Sequence, residues 1–328
     1  MTPPLLDRYR DAIVEGLRRS LDGEGPLSGI LRYHVGLADR DGRPATVLGK
    51  LLRPALVLFT AEELGAAPGA AMPAAVGLEL VHGFSLIHDD VQDEDDVRRG
   101  RPTVWRIWGV PEAINAGDRM QALAIQTALA VGPEAAGLLL EAAAKMIDGQ
   151  SMDLSFEDRF VDPDDALRMI DRKTGALFVC AFELGAVCAG AEVSVRESLR
   201  ALGRSVGRAF QLQDDILGIW GDGNVTGKPV GSDIRRKKKS YPIVLGAAAA
   251  SGEERGRLEE IYGKPDLDAG DVSWVVGLLD RLEVRSKVLG EVESYVDDAT
   301  SVAQSLPIRD EAKAELVGLM EFLVRRQS

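Results

Sequence analysis

Six carboxylates fall in the eight residues from Asp89 to Asp96, and the run leads straight into Arg98 and Arg99. Asp89 and Asp93 are four apart, so on a helix they stack on one face, with Asp90 beside them. Like charges at that spacing repel, by a few tenths of a kcal/mol per pair, and no lysine within the preceding turn offsets them. A divalent cation offsets them. Hard oxygen donors one turn apart suit Mg²⁺, which keeps several waters and bridges carboxylates to phosphate oxygens. Arg98 and Arg99 add planar, permanently charged donors that match phosphate geometry. The plainer reading of any acidic run is a solvated helix end. It loses ground here to a second acidic pair much further along.

That second stretch is Phe210 to Asp215, FQLQDD, followed by ILGIWGDGNVTGKPVGSDIRRKKKS. Again an Asp-Asp pair closes an apolar helical segment, and a glycine-rich loop and a basic run follow it. Acid, then Gly-Lys, then lysine-rich sequence is the order expected of a site that grips a polyphosphate through metal on one side and ammonium groups on the other. Elsewhere, Lys50 and Arg53 are three apart in GKLLRP, a spacing that lets both face one phosphate if the segment is helical, or leaves two solvated bases at a helix start. His82 lies seven residues before Asp89, two turns back on the same face. His34 has no neighbouring partner in sequence and reads as structural or surface, and His88 as packing beside the acids.

The elements that must position these groups are helices. Apolar residues recur at three and four, β-branched residues are scattered, and no stretch alternates cleanly. The pattern predicts helices over about 4–21, 45–64, 71–96, 111–130, 133–157, 163–191, 194–220, 231–250, 254–262, 271–305 and 309–326. Asp162-Pro163 reads as an N-cap followed by an N1 proline, Ser251 with Glu253 and Glu254 as another start, and Gly65, Gly132 and Gly221 as stops. No linker, repeat or low-complexity segment divides the 328 residues, so the expectation is a single all-α domain over 1–328. An apolar fraction of 45% suffices for a large core.

A net charge of −13 disfavours nucleic acid and anionic membrane as partners, so anionic substrates must meet a local basic pocket. Cys180 and Cys188 sit in one apolar helical segment, about 12 Å apart along its axis, too far for a mutual disulfide. Buried thiols and a reducing, cytoplasmic setting are expected. The N-terminal residues lack a signal peptide's apolar core. The most membrane-like stretch, 175–191, is short and interrupted by Glu183, which suits a helix buried on all sides.

Taken together, GKLLRP at 49–54, HGFSLIHDDVQDEDDVRRGRPT at 82–103, GQSMD at 149–153, KTGALF at 173–178, FQLQDDILG at 210–218 and TGKPVGSDIRRKKKSYP at 226–242 resemble the trans-isoprenyl diphosphate synthases, the polyprenyl synthetase family, in content, order and spacing. The resemblance spans almost the whole chain and implies a helical bundle of the isoprenoid synthase type with a central active-site cavity. It implies that Lys50, Arg53, His82 and Arg99 bind the diphosphate of isopentenyl diphosphate. It places the allylic diphosphate on Mg²⁺ held by Asp89, Asp93 and Asp214, with Asp90 and Asp215 supporting. Arg98, Lys173, Lys228 and Lys238 would contact its free oxygens, and Gln150 and Asp153 would face the same site. The other members of the 235–239 basic run read as a solvated face. A homodimer is also implied.

The chemistry this implies is ionisation of an allylic carbon–oxygen bond. The Thr174 hydroxyl, the Gln211 side-chain carbonyl and the Lys173 backbone carbonyl would stabilise the cation until isopentenyl diphosphate attacks it. Product length is expected to depend on the helix before Asp89, with Phe84 as gate and Ser85 leaving room, although Phe84 could equally be a core aromatic. Only two residues separate Asp90 from Asp93, and the resemblance to family members with one aromatic and no insertion there implies geranylgeranyl diphosphate as product, with farnesyl diphosphate second. One departure stands out: the second motif ends in Gly218 where the family usually has aspartate. That raises the alternative of a non-catalytic subunit of a heteromeric synthase. A terpene cyclase, the remaining rival, would lack the isopentenyl diphosphate residues and carry Asn and Ser/Thr in its second metal motif.

Overall fold

The computed structural model of the chain describes residues 3–221 and 231–325. Among them the regular elements are helices, apart from one two-residue ladder, and the fold is all-α. By contact the chain divides into two compact units. One comprises residues 1–144, 177–200 and 306–315, the other residues 145–176, 201–305 and 316–328.

In the first unit the helices Pro4–Ser20, Leu52–Glu63, Met72–Gln92 and Val110–Ala128 pack together. Their apolar faces meet through Ile13 and Leu17, Leu56 and Phe59, Leu78 and Ile87, and Met120, all fully buried. Each such side chain contributes about 1.5–3 kcal/mol of transfer free energy. Glycines let the backbones approach: a Cβ on Gly83 would lie 2.6 Å from Met120 Sδ, and one on Gly77 3.0 Å from the Ala124 carbonyl oxygen. The apolar segment begins as the helix Ala176–Cys188, with Phe178 and Phe182 in the core. Its Glu183 is buried but accepts from Arg200 Nε at 2.8 Å, which satisfies the charge. Among the described residues no helix is long and apolar enough to cross a membrane. Cys180 is buried and Cys188 half-buried, and both thiols are free.

The second unit has its own core, built by Leu212 and Ile216, Ile243 and Val244, Leu258, Val275, Leu278 and Leu279, and Val288. The Ala-rich helix Tyr241–Ala249 packs closely because Gly246 has no side chain; a Cβ there would lie 2.3 Å from Leu279 Cδ2. Ser251 and Glu254 form a full capping box, as the sequence suggests. Asp162 occupies the N-cap ahead of Pro163, though its side chain makes no capping bond.

Several predicted helices are broken by local backbone chemistry. The 45–64 helix begins only at Leu52, because Leu51 adopts a left-handed φ of 52°. The 71–96 helix ends at Gln92, ahead of Glu94 at φ 53°. The 231–250 stretch splits into Ser232–Arg235 and Tyr241–Ala249 around Lys237 at φ 53°, and 271–305 splits at Glu283, φ 56°. A short helix, Ser28–Val35, forms where the periodicity predicts none; Gly36 ends it at φ 91°. The 163–191 stretch is interrupted by a π-helical turn, Asp171–Gly175, that periodicity alone does not reveal.

Gly185 tests the packing. A Cβ there would stand 2.5 Å from Thr60 Cβ and 2.7 Å from the Val57 carbonyl oxygen, whereas Gly137, within a helix, has open space. Gly185→Ala should lower the urea midpoint by an amount equivalent to about 1–3 kcal/mol. Gly137→Ala should raise it by up to about 1 kcal/mol.

Candidate functional site

The first acidic stretch sits where the helix Met72–Gln92 stops. Asp93 caps it with right-handed backbone angles, and its N–H donates to the Asp89 carbonyl at 2.8 Å. The one-turn stacking of Asp89 and Asp93 therefore survives the end of the helix. The chain then turns back as a tight hairpin, Val97–Arg98 against Arg101–Pro102, across Arg99 at φ 51° and Gly100 at φ 72°. Two successive positive φ values are what a two-residue hairpin turn demands. Thr103 Oγ1 and Trp105 Nε1 both donate to the Asp95 carbonyl, at 2.7 and 2.9 Å, and pin the acidic loop.

The hairpin aims Arg98 at Asp90: Nε donates to Oδ1 at 2.6 Å, and Asp90 is only 1% exposed. Its other oxygen has no partner, and burial pushes the carboxyl up to about 6 despite Arg98. His34 and Asp90 line a cavity of about 20 Å³ with Tyr33, Arg98, Arg99 and Arg101. His34 Nε2 is also unpartnered, and one water fills such a space. Burial, then Arg99 and Arg98, hold the His34 imidazole well below its usual range. Nothing in the sequence around His34 signals this placement.

Lys50 and Arg53 do not share a helix face, because Lys50 precedes the Leu52–Glu63 helix. The geometry still brings three of the predicted diphosphate-binding residues, Arg53, His82 and Arg99, near one another. Arg99 lies over Gly49, the residue before Lys50, where a Cβ would stand 2.8 Å from its Nη2. Arg53 stacks 4.8 Å above the Phe178 ring and reaches His82, Nη1 to Nε2 at 3.4 Å. Burial, then Arg53, lowers the His82 pKa, so a neutral ring accepts from the guanidinium. Phe84 is 2% exposed and packs edge-on against His88, whose ring covers Gly117. Ser85 is half-buried beside it, its hydroxyl donating to the His82 carbonyl at 2.9 Å.

The second unit carries a separate polar chain. The π turn presents Lys173 and Thr174 in succession, and Gly149 makes room for it: a Cβ there would be 2.2 Å from Lys173 N. Arg208 clamps the start of that turn, with Nε and Nη2 each 2.7 Å from the Asp171 carboxylate. Lys173 Nζ donates to Asp153, Thr174 Oγ1 donates to Gln211 Oε1 at 2.7 Å, and Gln211 Nε2 donates to Asp215 Oδ1 at 2.9 Å. The Tyr241 N–H donates to Asp215 Oδ2 at 3.0 Å, and Lys238 Nζ lies 3.8 Å from Oδ1.

Both Asp215 oxygens are thus engaged inside the protein, where the carboxylate orients Gln211 and faces Lys238. Asp214, its neighbour, is half-buried. Gln150 is buried, and Asp153 is the member of that pair that meets Lys173. Burial lowers the Lys238 ammonium's pKa, but the surrounding acids, led by Asp215 and Asp233, more than reverse this and keep it charged. Lys228 lies outside the described residues.

Among the described residues no three carboxylates, imidazoles or thiols are gathered as a metal cage. The donor set nevertheless fits Mg²⁺: Asp89 and Asp93 offer hard oxygens one turn apart, and this ion commonly completes its shell with water and substrate phosphate.

A family model described as polyprenyl synthetase matches residues 44–279. The chain belongs to that family. This polyprenyl synthetase is 40% identical to the (2E,6E)-farnesyl diphosphate synthase of Mycobacterium tuberculosis, over 100% of its own length and 94% of the relative's. It is 35% identical to the geranylgeranyl diphosphate synthase of the same organism, over 98% and 93%. Among solved structures it matches a polyprenyl synthetase from Streptomyces coelicolor A3(2), with a TM-score of 0.91, 36% identity, and coverage of 99% and 100%. The isoprenoid synthase fold expected from the sequence is therefore the fold of this chain.

The buried acids predict a pH dependence. Asp90 and Asp215 both hold a proton more tightly folded than unfolded, burial raising each to about 6 from 3.8. Their contribution to stability is full below about pH 4 and is lost as pH rises through about 6. In metal-free protein, Asp90→Asn should flatten the fall of the urea midpoint between pH 4 and pH 7.

Proposed function

We propose that this polyprenyl synthetase condenses an allylic diphosphate with isopentenyl diphosphate, head to tail, and releases a short prenyl diphosphate. The observation that carries the reading is the meeting of Arg53 with His82 two helical turns before Asp89, with Arg99 held over Gly49 next to Lys50 in the chain, since a second anionic substrate calls for its own cationic seat. Arg53 and Arg99 offer fixed guanidinium donors for one diphosphate. Neutral His82 adds directionality without adding another full charge. The two compact units, which the family match crosses, act together as one synthase domain.

Magnesium would be held by Asp89 and Asp93 of the first unit and Asp214 of the second, and would supply the Lewis acidity that stabilises a departing pyrophosphate. Arg98, Lys173, Lys228 and Lys238 would supply positive charge where negative charge develops, usually the largest single source of rate enhancement in such sites. Thr174 commits its proton to Gln211, so the hydroxyl presents lone pairs toward a cation. The Gln211 side chain cannot swing, because Asp215 accepts from its amide. Held oxygens of this kind stabilise an allylic cation electrostatically until the isopentenyl double bond reaches it. The pyrophosphate then takes the final proton.

Geranylgeranyl diphosphate is the product this reading favours, because the small, half-buried Ser85 sits beside the buried Phe84 on the helix leading to Asp89. Farnesyl diphosphate is the second reading, supported by the name of the 40% identical relative. The active form is a homodimer in a reducing, cytoplasmic setting; Val110 and Ile114, exposed and four apart on one helix of the first unit, offer apolar surface to bury.

Purified protein incubated with Mg²⁺, labelled isopentenyl diphosphate and each allylic primer tests the proposal. Extension by this chain alone is expected; its absence would mean a subunit that needs a catalytic partner. Asp89→Ala should lower kcat/KM by a factor on the order of 10²–10³. Phe84→Ala should lengthen the product, and an unchanged product distribution would remove Phe84 as the gate.

A further inference from the structure

We infer that Asp233 supplies, from a different segment, the carboxylate that the second aspartate motif lacks at Gly218, and that it acts as the positioning residue for Lys238. Gly218 stands four residues after Asp214, one turn on along the same helix face. A Cβ at Gly218 would lie 2.3 Å from Asp233 Oδ2, 2.4 Å from its Cγ and 2.7 Å from Oδ1. The entire carboxyl group of Asp233 therefore rests on the bare Cα of Gly218. No side chain of any kind fits at 218 while Asp233 holds this position. The two residues are one device: the glycine is the seat, and the aspartate is its occupant.

The surrounding backbone keeps Asp233 in that seat. The Gly231 N–H donates to the Ile219 carbonyl at 3.0 Å, and Ser232 Oγ donates to the Gly218 carbonyl at 3.1 Å. Both bonds staple the start of the short helix Ser232–Arg235 to the end of the helix Val193–Trp220. Ile234 is fully buried behind them. On its other side, the Asp233 carbonyl accepts the Lys238 N–H at 2.9 Å, closing the turn through Lys237. Lys238 Nζ then lies 4.0 Å from Asp233 Oδ2 and 3.8 Å from Asp215 Oδ1, with side chains 41%, 13% and 4% exposed respectively. The more open ammonium is held between two more buried acids. Asp233 and Asp215 fix its place, and neither leaves it neutralised by a single close partner.

This deepens the prenyl-transfer reading and rests on it for the role of Lys238. A cycle over Gly218→Asp, Asp233→Ala and the double variant tests it with two readouts, steady-state condensation kinetics and the melting midpoint of metal-free protein. Gly218→Asp alone should lower the midpoint by several degrees and kcat/KM by more than tenfold, because two carboxylates contend for one place. Asp233→Ala alone should raise KM for the allylic diphosphate about tenfold and leave KM for isopentenyl diphosphate within about twofold, a split that general loosening does not produce.

The double variant, with its acid back on the helix, should return to within about threefold of wild-type kcat/KM and within about 2 °C of its midpoint. Losses that simply add overturn the exchange. Asp233→Asn, which keeps the shape and removes the charge, should show the same KM split as Asp233→Ala; wild-type kinetics in both overturn the positioning role. Should the wild-type protein itself make no prenyl product, the functional reading fails, and the metal-free midpoints still decide whether the two carboxylates share one seat.

Discussion

Carboxylates in this protein have to stay close to one another and to anionic substrates without driving the fold apart. Each unit meets that constraint by splitting an Asp-Asp pair into two jobs. In the first, Asp90 turns inward and takes the Arg98 guanidinium at 2.6 Å, while Asp89 and Asp93 share the other helix face. In the second, Asp215 turns inward and takes Gln211, the Tyr241 N–H and Lys238, leaving Asp214 the outer role. The inner acid of each pair holds a cation in place, and that cation limits the repulsion the outer acids feel. With a net charge of −13 over the chain, such local cations matter more than any long-range field.

The placing of these groups depends on backbone that departs from regular helix. Among the described residues five non-glycine residues have positive φ: Leu51, Glu94, Arg99, Lys237 and Glu283. Four of the five adjoin or are residues proposed for the site: Leu51 follows Lys50, Glu94 follows Asp93, Lys237 precedes Lys238, and Arg99 is itself one. Left-handed conformations cost roughly 1–2 kcal/mol each for such residues, so they persist only where neighbouring packing fixes them. The π turn at Asp171–Gly175 serves the same end, bringing Lys173 and Thr174 forward together with Arg208 as its clamp. Rigid helices supply the frame, and their breaks direct the chemistry.

That division explains what could be read from the sequence. Helical periodicity marks the core helices and the two acidic helix ends, because burial writes a repeating pattern into residue type. The motif chemistry marks Asp89, Asp93, Arg53, His82 and Thr174 for the same reason: their side chains have few substitutes. The breaks leave weaker traces. Gly100 after Arg99 is a legible turn signal that the acidic run obscures, whereas nothing in Leu51 or Lys237 announces a left-handed backbone. The π turn is invisible to a 3.6-residue period. Asp233 is hidden because its significance depends on what Gly218 lacks, a relation between two segments that only the folded chain displays.

The glycine contacts between the helices Met72–Gln92 and Val110–Ala128 have a further consequence. Gly77 against the Ala124 carbonyl, Gly83 against Met120 and Gly117 beneath His88 leave these helices no slack to slide or spread. The wall that carries Phe84 and Ser85 is therefore of fixed span. Under the proposed gating, the product made on this scaffold is re-marked one side chain at a time, since that span cannot be stretched.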